Sequence, residues 1–231
     1  YLYGKKMLEN LLNSEQSEKA NAFANLIYSE NKKFNLTGLN NIEEIKKVLI
    51  YESIHSLNYA NINLEDSSKI IDIGTGAGIP GIPFKIMHTN ANLTLVDSNH
   101  KKCNFIEKVI SELGINLKII CSRIEEIAHH DDHRENYDIC LSRAVSNIST
   151  LNEFSLPLLK LSGKSICIKG NNISNEIINS EYSAEVLGGK MINYSTTSSK
   201  STIVIYKKFK KTPDLYPRKT GIPKKNPLGI S

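Results

Sequence analysis

The chain of 231 residues is long enough for one well-buried core with an appendage, but short for two domains of equal size. It has no run of 18 apolar residues, and its polar N-terminal segment has no signal-peptide hydrophobic region, so we expect a soluble, unsecreted protein. The net charge of +5 is uneven: eight basic residues and one acid lie in positions 207–231, which leaves 21 basic and 23 acidic residues in positions 1–206. Either a polyanionic partner, commonly nucleic acid, or a solubilising tail accounts for this distribution.

The four cysteines are scattered along the chain and form no CxxC pair. This spacing is typical of free thiols in a reducing cytosol, so we interpret the protein as cytoplasmic. Potential metal ligands cluster in His129-His130-Asp131-Asp132-His133. Because this polar connection lacks a spacing that aims ligands at one point, we predict a solvated loop and no metal site.

The first part of the chain has a helical pattern. Apolar residues in positions 5–30 recur at a spacing near 3.6, which predicts two short helices or one broken helix. A turn is expected at 35–38, and Asn40-Asn41 offers a cap for a further amphipathic helix. Residues 1–62 are therefore predicted to form a helical N-terminal extension.

Strand and helix patterns alternate from residue 63 onward. Strands are predicted over 69–73, 93–97, 117–121, 137–142, 164–169, 190–195 and 202–207, and helices over 80–88, 100–113, 123–128, 148–160 and 173–186. Such units predict a parallel sheet covered on both faces, while the short link between the last two strands predicts an antiparallel edge hairpin. This α/β layout of seven strands resembles the Rossmann-like class I methyltransferases. The predicted division is a domain at 63–207, which binds the cofactor, and a basic tail at 208–231.

The most informative segment is the glycine-rich stretch at 70–81, where a buried strand runs into a turn and then a helix. Glycines at 74, 76 and 78 allow positive φ and close approach of a ligand to the main chain. Pro80 suits the first position of the following helix. Since open α/β sheets bind ligands at the carboxyl ends of their strands, this turn is predicted to hold a small molecule.

Two cofactor classes compete for this turn. Residues 76–81 match G-x-G-x-x-G, so a nicotinamide-dependent oxidoreductase is one alternative. Against it, Pro80 removes an N–H that a pyrophosphate would use, and Asp72 would repel the phosphates. Asp72 can instead attract the ammonium of a methionine moiety, directly or through water. Together with Gly74 and Gly76 it resembles the (D/E)-x-G-x-G-x-G signature of S-adenosylmethionine-dependent methyltransferases.

Two further segments are predicted to contact a nucleoside. Asp97 ends the second predicted strand and can accept both ribose hydroxyls, and it can at the same time cap the helix that begins near His100. After the third strand, Ile124 can pack on an adenine while Glu125 or a backbone N–H meets its edge. Alternatively, Glu125 and Glu126 only stabilise the start of a short helix.

Segments after the fourth and fifth strands, Ser142-Arg143-Ala144-Val145 and Ile168-Lys169-Gly170, complete a specific resemblance. The chain resembles the RsmG (GidB) family of 16S ribosomal RNA guanine-N7 methyltransferases. The matching segments are Asn35-Leu36-Thr37, the stretch 72–83, Val96-Asp97-Ser98 with Lys101-Lys102, Arg123 to Glu126, the two segments above, Tyr216-Pro217-Arg218-Lys219, Gly221-Ile222-Pro223 and Lys225-Asn226-Pro227-Leu228.

The resemblance implies a cytoplasmic enzyme that uses S-adenosylmethionine to methylate one guanosine of small-subunit rRNA at N7. It also implies cofactor contacts from Gly74, Ile79, Ile124 with Glu125, and Arg143. One segment departs from the family, which usually has an Arg/Lys-His pair followed by Asp-Ser. Here Val48-Leu49-Ile50-Tyr51-Glu52-Ser53 keeps the acid and the serine conservatively but replaces the basic pair by aliphatic residues.

Guanine N7 has an exposed lone pair and requires no general base, so no catalytic residue is assigned beyond an orienting role for Arg143. Its guanidinium can donate to guanine O6 or to the methionine carboxylate, or it can form a salt bridge that holds its loop. The expected partner is 16S rRNA or a partly assembled small subunit, acted on by a monomer. A non-catalytic RNA-binding relative is the second alternative.

The basic tail is predicted to contact RNA phosphates. The predicted RNA-binding residues are Lys169, Arg218, Lys219, Lys224 and Lys225. Deletion of residues 208–231 is expected to weaken RNA binding far more than cofactor binding.

Overall fold

The computed structural model describes residues 11–197 and 201–230, and its elements alternate as the sequence predicts. The strands are β1 (Lys69–Ile73), β2 (Asn92–Asp97), β3 (Lys118–Cys121), β4 (Tyr137–Arg143), β5 (Leu159–Lys169), β6 (Gly189–Thr196) and β7 (Thr202–Lys208). The helices are α1 (Ser14–Asn31), α2 (Ile42–Glu44, Ile45–Tyr51 and Glu52–Tyr59 in succession), α3 (Gly81–Met87), α4 (His100–Leu113), α5 (Ile124–Ile127), α6 (Ile148–Ser155), α7 (Ser174–Val186) and α8 (Ile222–Lys225).

All seven strands form one sheet in the order β3-β2-β1-β4-β5-β7-β6. Strands β1 to β5 pair in parallel, whereas β7 lies antiparallel to both β5 and β6. The prediction of a mostly parallel sheet with an antiparallel edge hairpin is therefore confirmed. Because the order reverses between β1 and β4, the carboxyl ends of these two strands flank the crevice in which such sheets bind ligands.

Alternating side chains of the strands feed two hydrophobic clusters, one on each face of the sheet. In β1, Ile70 enters the first cluster, and Ile71 and Ile73 enter the second. Strands covered on both faces lose the apolar–polar alternation of half-exposed strands, which is why they appear in the sequence as continuous apolar runs.

The described part of the N-terminal extension packs on the first face. Phe23 and Ile27 of α1 and Ile50 and Ile54 of α2 are fully buried in the same cluster as the strands. The extension and the domain that follows therefore share a core. The predicted helical pattern at 5–30 appears as the single helix α1 after its Asn13 cap, and residues 5–10 of that prediction lie outside the described residues.

Three predicted boundaries are wrong. The helix predicted over 148–160 ends at Ser155 and continues only as a 3-10 turn over Leu156–Leu158, because Pro157 cannot supply a helical N–H. Strand β5 then begins at Leu159, five residues before the predicted start. Pro80 also precedes α3 instead of beginning it, since the N–H of Gly81 is bonded to Asp72.

Residues 209–230, which we call the C-terminal strap, fold back along the second face of the sheet. Arg134 holds the strap by donating to the carbonyl oxygens of Thr212, Pro213 and Tyr216 at 2.9–3.2 Å. Thr150 of α6 donates to the Pro223 carbonyl at 3.0 Å. The basic tail, as far as residue 230, is thus part of the fold and runs from the end of β7 to the carboxyl edge of the sheet.

Candidate functional site

The glycine turn after β1 adopts the left-handed conformation that its sequence predicts. Gly74, Gly76 and Gly78 have φ values of 64°, 60° and 86°. A Cβ on Gly74 would lie 2.9 Å from Val145 Cγ1, so the loop after β4 closely approaches the turn. At Gly76, by contrast, the nearest atom to such a Cβ would be Lys102 Nζ at 3.9 Å. The turn is thus packed against protein at Gly74 and open at Gly76.

Asp72 lies beneath this turn and is fully buried. Its Oδ2 accepts hydrogen bonds from Thr75 Oγ1 at 2.6 Å and from the Gly81 N–H at 2.9 Å. Removal from water raises the pKa of Asp72 to about 7. In this position Asp72 stabilises the turn. Its predicted contact with an ammonium group stays a prediction and rests on Oδ1, which is buried without a hydrogen-bond partner among the described residues.

Asp97, at the end of β2, reaches across to the same turn. Its Oδ2 accepts from the Gly76 N–H at 2.8 Å, and its Oδ1 accepts from the Asn99 N–H at 2.9 Å. The helix-capping role predicted for Asp97 is wrong, because Asn99 caps α4 by accepting from the N–H groups of Lys101 and Lys102. A carboxylate has about four acceptor positions, so Asp97 retains about two for a bound diol.

The structure adds Lys102 to the site, a residue that sequence reasoning placed in a matching segment without a role. It lies on the first turn of α4, and its ammonium is the nearest side-chain group to the open position at Gly76. The spacing of a lysine five residues after the acid at the end of β2 is the signal that would have identified it, since the first turn of α4 brings its ammonium near Gly76.

Ile124 and Glu125 begin α5, as the predicted helix start requires, and both are buried. The Glu125 Oε1 atom accepts from the Gly221 N–H of the strap at 3.0 Å. Beside this contact lies an open groove of about 410 Å³, lined by Glu125, Glu126, His129, Arg218, Lys219 and Thr220. A contact of Ile124 or Glu125 with an adenine stays a prediction, but the strap determines where the Glu125 carboxylate lies.

Arg143 ends β4 next to the turn, with its side chain 13% exposed. It donates through Nη1 to Ser53 Oγ at 2.6 Å and through Nη2 to Glu52 Oε2 at 3.3 Å. The predicted salt bridge is therefore present, but it joins α2 to β4 instead of holding the Arg143 loop internally. Burial raises the pKa of Glu52, against the opposing effect of Arg143. Glu52 and Ser53, which correspond to the acid and the serine of the family pattern, are thus the partners of Arg143.

The predicted RNA-binding residues fall into two groups. Lys169 is paired with Glu176 at 2.9 Å, and Arg218 forms a bidentate pair with the fully buried Glu153 at 2.9 and 2.7 Å. Lys219, Lys224 and Lys225 are exposed on the strap. The first group is committed to internal ion pairs, whereas the second group has exposed ammonium groups whose contact with RNA stays a prediction.

The histidine and cysteine residues contribute no metal centre within residues 11–197 and 201–230, where no group of three or more His, Cys, Asp and Glu side chains could hold an ion. His129 is exposed but donates to the Pro217 carbonyl at 2.7 Å, so it anchors the strap. All four cysteines are free, and Cys121 alone among them is exposed.

The strand order and the glycine turn at its reversal point define a Rossmann-like methyltransferase fold. An S-adenosylmethionine-dependent methyltransferase from Aquifex aeolicus has this fold too, with a TM-score of 0.52 and 14% identity over 67% of this chain and 88% of that one. The chain itself belongs to the family of rRNA small subunit methyltransferase G (GidB), whose model matches residues 16–205.

Individual relatives agree with this family over nearly the whole chain. The ribosomal RNA small subunit methyltransferase G of Clostridium botulinum is 40% identical over 94% of this chain and 92% of its own length. The protein of the same name from Desulforamulus reducens is 40% identical over 96% of this chain and 95% of its own. Neither the oxidoreductase nor the non-catalytic alternative is supported by these relatives. Within the described residues, no helix has the length and apolar character needed to cross a membrane.

Proposed function

We propose that this protein transfers a methyl group from S-adenosylmethionine to N7 of a guanosine in 16S rRNA. Membership of the family supports the activity and its substrate class. One observation in the structure carries the cofactor part of the proposal. The partly buried Asp97 carboxylate lies beside the open backbone of Gly76, at the point where the strand order reverses. This arrangement fits a nucleoside with a free ribose diol.

The side chains around the turn fit the proposed cofactor. Asp97 would bind the ribose hydroxyls with its remaining acceptor positions, and Ile124 would pack against the adenine. The open main chain at Gly76 would let the methionine part lie against it, while Gly74 holds the turn against the loop after β4 and Ile79 is buried behind the turn. When bound, S-adenosylmethionine supplies an electrophilic methyl group on a sulfonium.

The protein has to position the nucleophile, since guanine N7 carries a free lone pair and needs no deprotonation. Alignment of reacting groups by itself lowers a barrier by several kcal/mol. Arg143 is suited to this work because Glu52 and Ser53 hold its guanidinium, which has five N–H donors and uses only part of them on α2. A remaining donor can bind guanine O6 or the methionine carboxylate.

The direct test combines calorimetry with analysis of rRNA. We expect the purified protein to bind S-adenosylmethionine and not NAD, and to introduce N7-methylguanosine into 16S rRNA, as detected by mass spectrometry of nuclease digests. In cells lacking the gene, one N7-methylguanosine of 16S rRNA should disappear. Binding of NAD without S-adenosylmethionine, or an unchanged rRNA in those cells, would contradict the proposal.

The same proposal includes the state and place of the enzyme. It acts as a monomer in the cytoplasm, on 16S rRNA or on a partly assembled small subunit. Support for the cytoplasm comes from a ribosomal RNA substrate and four unpaired cysteines. Size-exclusion chromatography with light scattering tests the monomer, and methylation of naked rRNA against isolated subunits tests the substrate.

A further inference from the structure

Three lysines lie side by side across the strands at one edge of the sheet. Lys207 of β7 is the register partner of Lys164 in β5 and of Lys190 in β6. Residues in register on neighbouring strands project from the same face, and the spacing of strands makes this row about 10 Å long. We call Lys164, Lys190 and Lys207 the lysine row.

The lysine row has no counter-charge within the described part of the chain. Lys164 and Lys190 are exposed, Lys207 is half-buried, and none of the three forms an ion pair there. Elsewhere in β5 and β7, in contrast, Lys160, Lys169 and Lys208 each contact a carboxylate at 2.7–2.9 Å. Like charges directly opposite each other destabilise an antiparallel pair, so a bound anion would relieve the repulsion within the row.

An exposed aromatic ring adjoins the lysine row. Phe209 is 53% exposed, and the Lys207 ammonium lies 5.5 Å from the centre of its ring. Lys210 and Lys211 follow and are exposed too. Lysines that surround an accessible aromatic face are typical of surfaces that bind single-stranded nucleic acid, where phosphates meet the cations and a base stacks on the ring.

The lysine row is separate from the glycine turn. Lys164 is level with Ile139 of β4 and Ile70 of β1, and Ile70 lies four residues before Gly74. One to three strands lie between β1 and the strands of the row, so the row and the turn are about 20 Å apart. One nucleotide cannot occupy both places, whereas a long RNA can contact both.

We infer that the lysine row and Phe209 form a second RNA-binding surface, which holds the phosphate backbone of an rRNA segment apart from the target guanosine. The inference rests on the proposed function, because it takes 16S rRNA as the polyanion. Its effect is on binding of the substrate, since the surface lies far from the reacting atoms.

The test uses the full chain with the substitutions Lys164→Gln, Lys190→Gln and Lys207→Gln together. A control triple variant, Lys32→Gln, Lys33→Gln and Lys118→Gln, changes the net charge equally at exposed positions outside the row. Binding to a 16S rRNA transcript is measured at several salt concentrations. We expect the row variant to bind about tenfold or more weakly, with a salt slope smaller by about 2 to 3, while the control keeps its slope.

Further measurements distinguish RNA binding at the lysine row from a loss of catalysis and from binding to lipid. Phe209→Ser should weaken RNA binding about fivefold or more through the loss of one stacked base. At saturating RNA, the row variant should methylate at the rate of the parent protein. Equal loss in the control variant, or a row-dependent preference of the parent for phosphatidylserine vesicles over rRNA, would overturn the inference. If the parent itself does not methylate rRNA, the proposed function fails instead.

Discussion

At the scale of single residues, Asp72 shows how one buried carboxyl organises the site. It bonds Thr75 and Gly81 at the two ends of the glycine turn, and burial raises its pKa to about 7. A carboxyl with a raised pKa keeps its proton in the folded protein at pH values where the unfolded chain has lost it. The folded state is therefore progressively disfavoured as pH rises from about 4 to about 7.

The substitution Asp72→Asn tests whether the Asp72 carboxyl keeps its proton in the folded protein. The amide oxygen can take the place of Oδ2 and accept both hydrogen bonds, but the amide does not titrate. We expect the difference in free energy of unfolding, variant minus parent, to rise with pH by up to about 1.4 kcal/mol per unit below pH 7 and then to level off. Urea unfolding from pH 5 to pH 8 measures it, and a difference independent of pH would contradict the assignment.

Gly74 can be tested against a matched glycine. Gly74→Ala places a Cβ 2.9 Å from Val145 at a φ of +64°, whereas Gly114→Ala meets nothing within 4 Å at a φ of +59°. Both should lose about 1 kcal/mol of stability through backbone strain. Only Gly74→Ala should also weaken S-adenosylmethionine binding in calorimetry, and addition of Val145→Ala should restore part of it. Equal cofactor affinity in the two single variants would refute the idea that the contact between Gly74 and Val145 shapes the cofactor site.

At the scale of elements, α2 is joined to β4 through Glu52, Ser53 and Arg143. The π-helical segment Ile45–Tyr51 ends immediately before these partners, and such segments are frequent at functional sites. If the ion pair presents Arg143 to the substrate, α2 acts on catalysis without touching the reacting atoms.

Glu52→Gln removes this charge and should lower kcat for methyl transfer about tenfold with little change in cofactor affinity. Because burial raises the pKa of Glu52, the parent should lose activity as pH falls through that raised value, and the variant should not. Glu44→Gln, at an exposed position of the same helix, serves as control. Pre-steady-state methylation assays measure the rate of methyl transfer and its dependence on pH for each protein. Identical pH profiles for the parent and Glu52→Gln would exclude the positioning role.

The strap depends on a second ion pair, between Arg218 and the fully buried Glu153. Arg218→Gln leaves that carboxylate without its cation and should cost about 3 kcal/mol of unfolding free energy. The double variant Arg218→Gln/Glu153→Gln should recover most of this loss, as urea denaturation can show. Additive losses in the double variant would mean that the pair is not the source of the effect.

At the scale of the whole molecule, the positive charge predicted for a tail is divided among different tasks. Lys208 and Arg218 stabilise the fold, while Lys219, Lys224 and Lys225 remain exposed on the strap. Deletion of residues 208–231 would also remove the Gly221 contact to Glu125. We therefore expect the deletion to weaken cofactor binding as well as RNA binding, contrary to the sequence-based expectation.

Neutralisation of the exposed charges separates these tasks. The variant with Lys219→Gln, Lys224→Gln and Lys225→Gln should weaken rRNA binding and reduce its salt slope by about 2 to 3, with S-adenosylmethionine affinity unchanged. Filter binding and calorimetry provide the two affinities, and the same control triple variant corrects for net charge. A parallel loss of both affinities would place these lysines in the cofactor site.

The sequence by itself determined the fold, because a buried parallel sheet requires continuous apolar strands, and a ligand-binding turn requires glycines that tolerate positive φ. It also selected the family from ordered segments such as those around Asp72 and Arg143. The predicted boundary between α6 and β5 is wrong. It falls where Leu156 to Leu159 form an apolar run without a clear period, and such a run is compatible with either structure.

Only the tertiary structure decided the partners of charged side chains, because such pairs join residues far apart in sequence. Glu52 meets Arg143, Glu153 meets Arg218, and the strap reaches Glu125 across separations of 91, 65 and 96 residues. Spacing along the chain contains no record of these contacts. Hydrophobic periodicity is a local property and can be predicted, whereas the choice between a free cation for RNA and one paired within the fold arises when distant segments pack together.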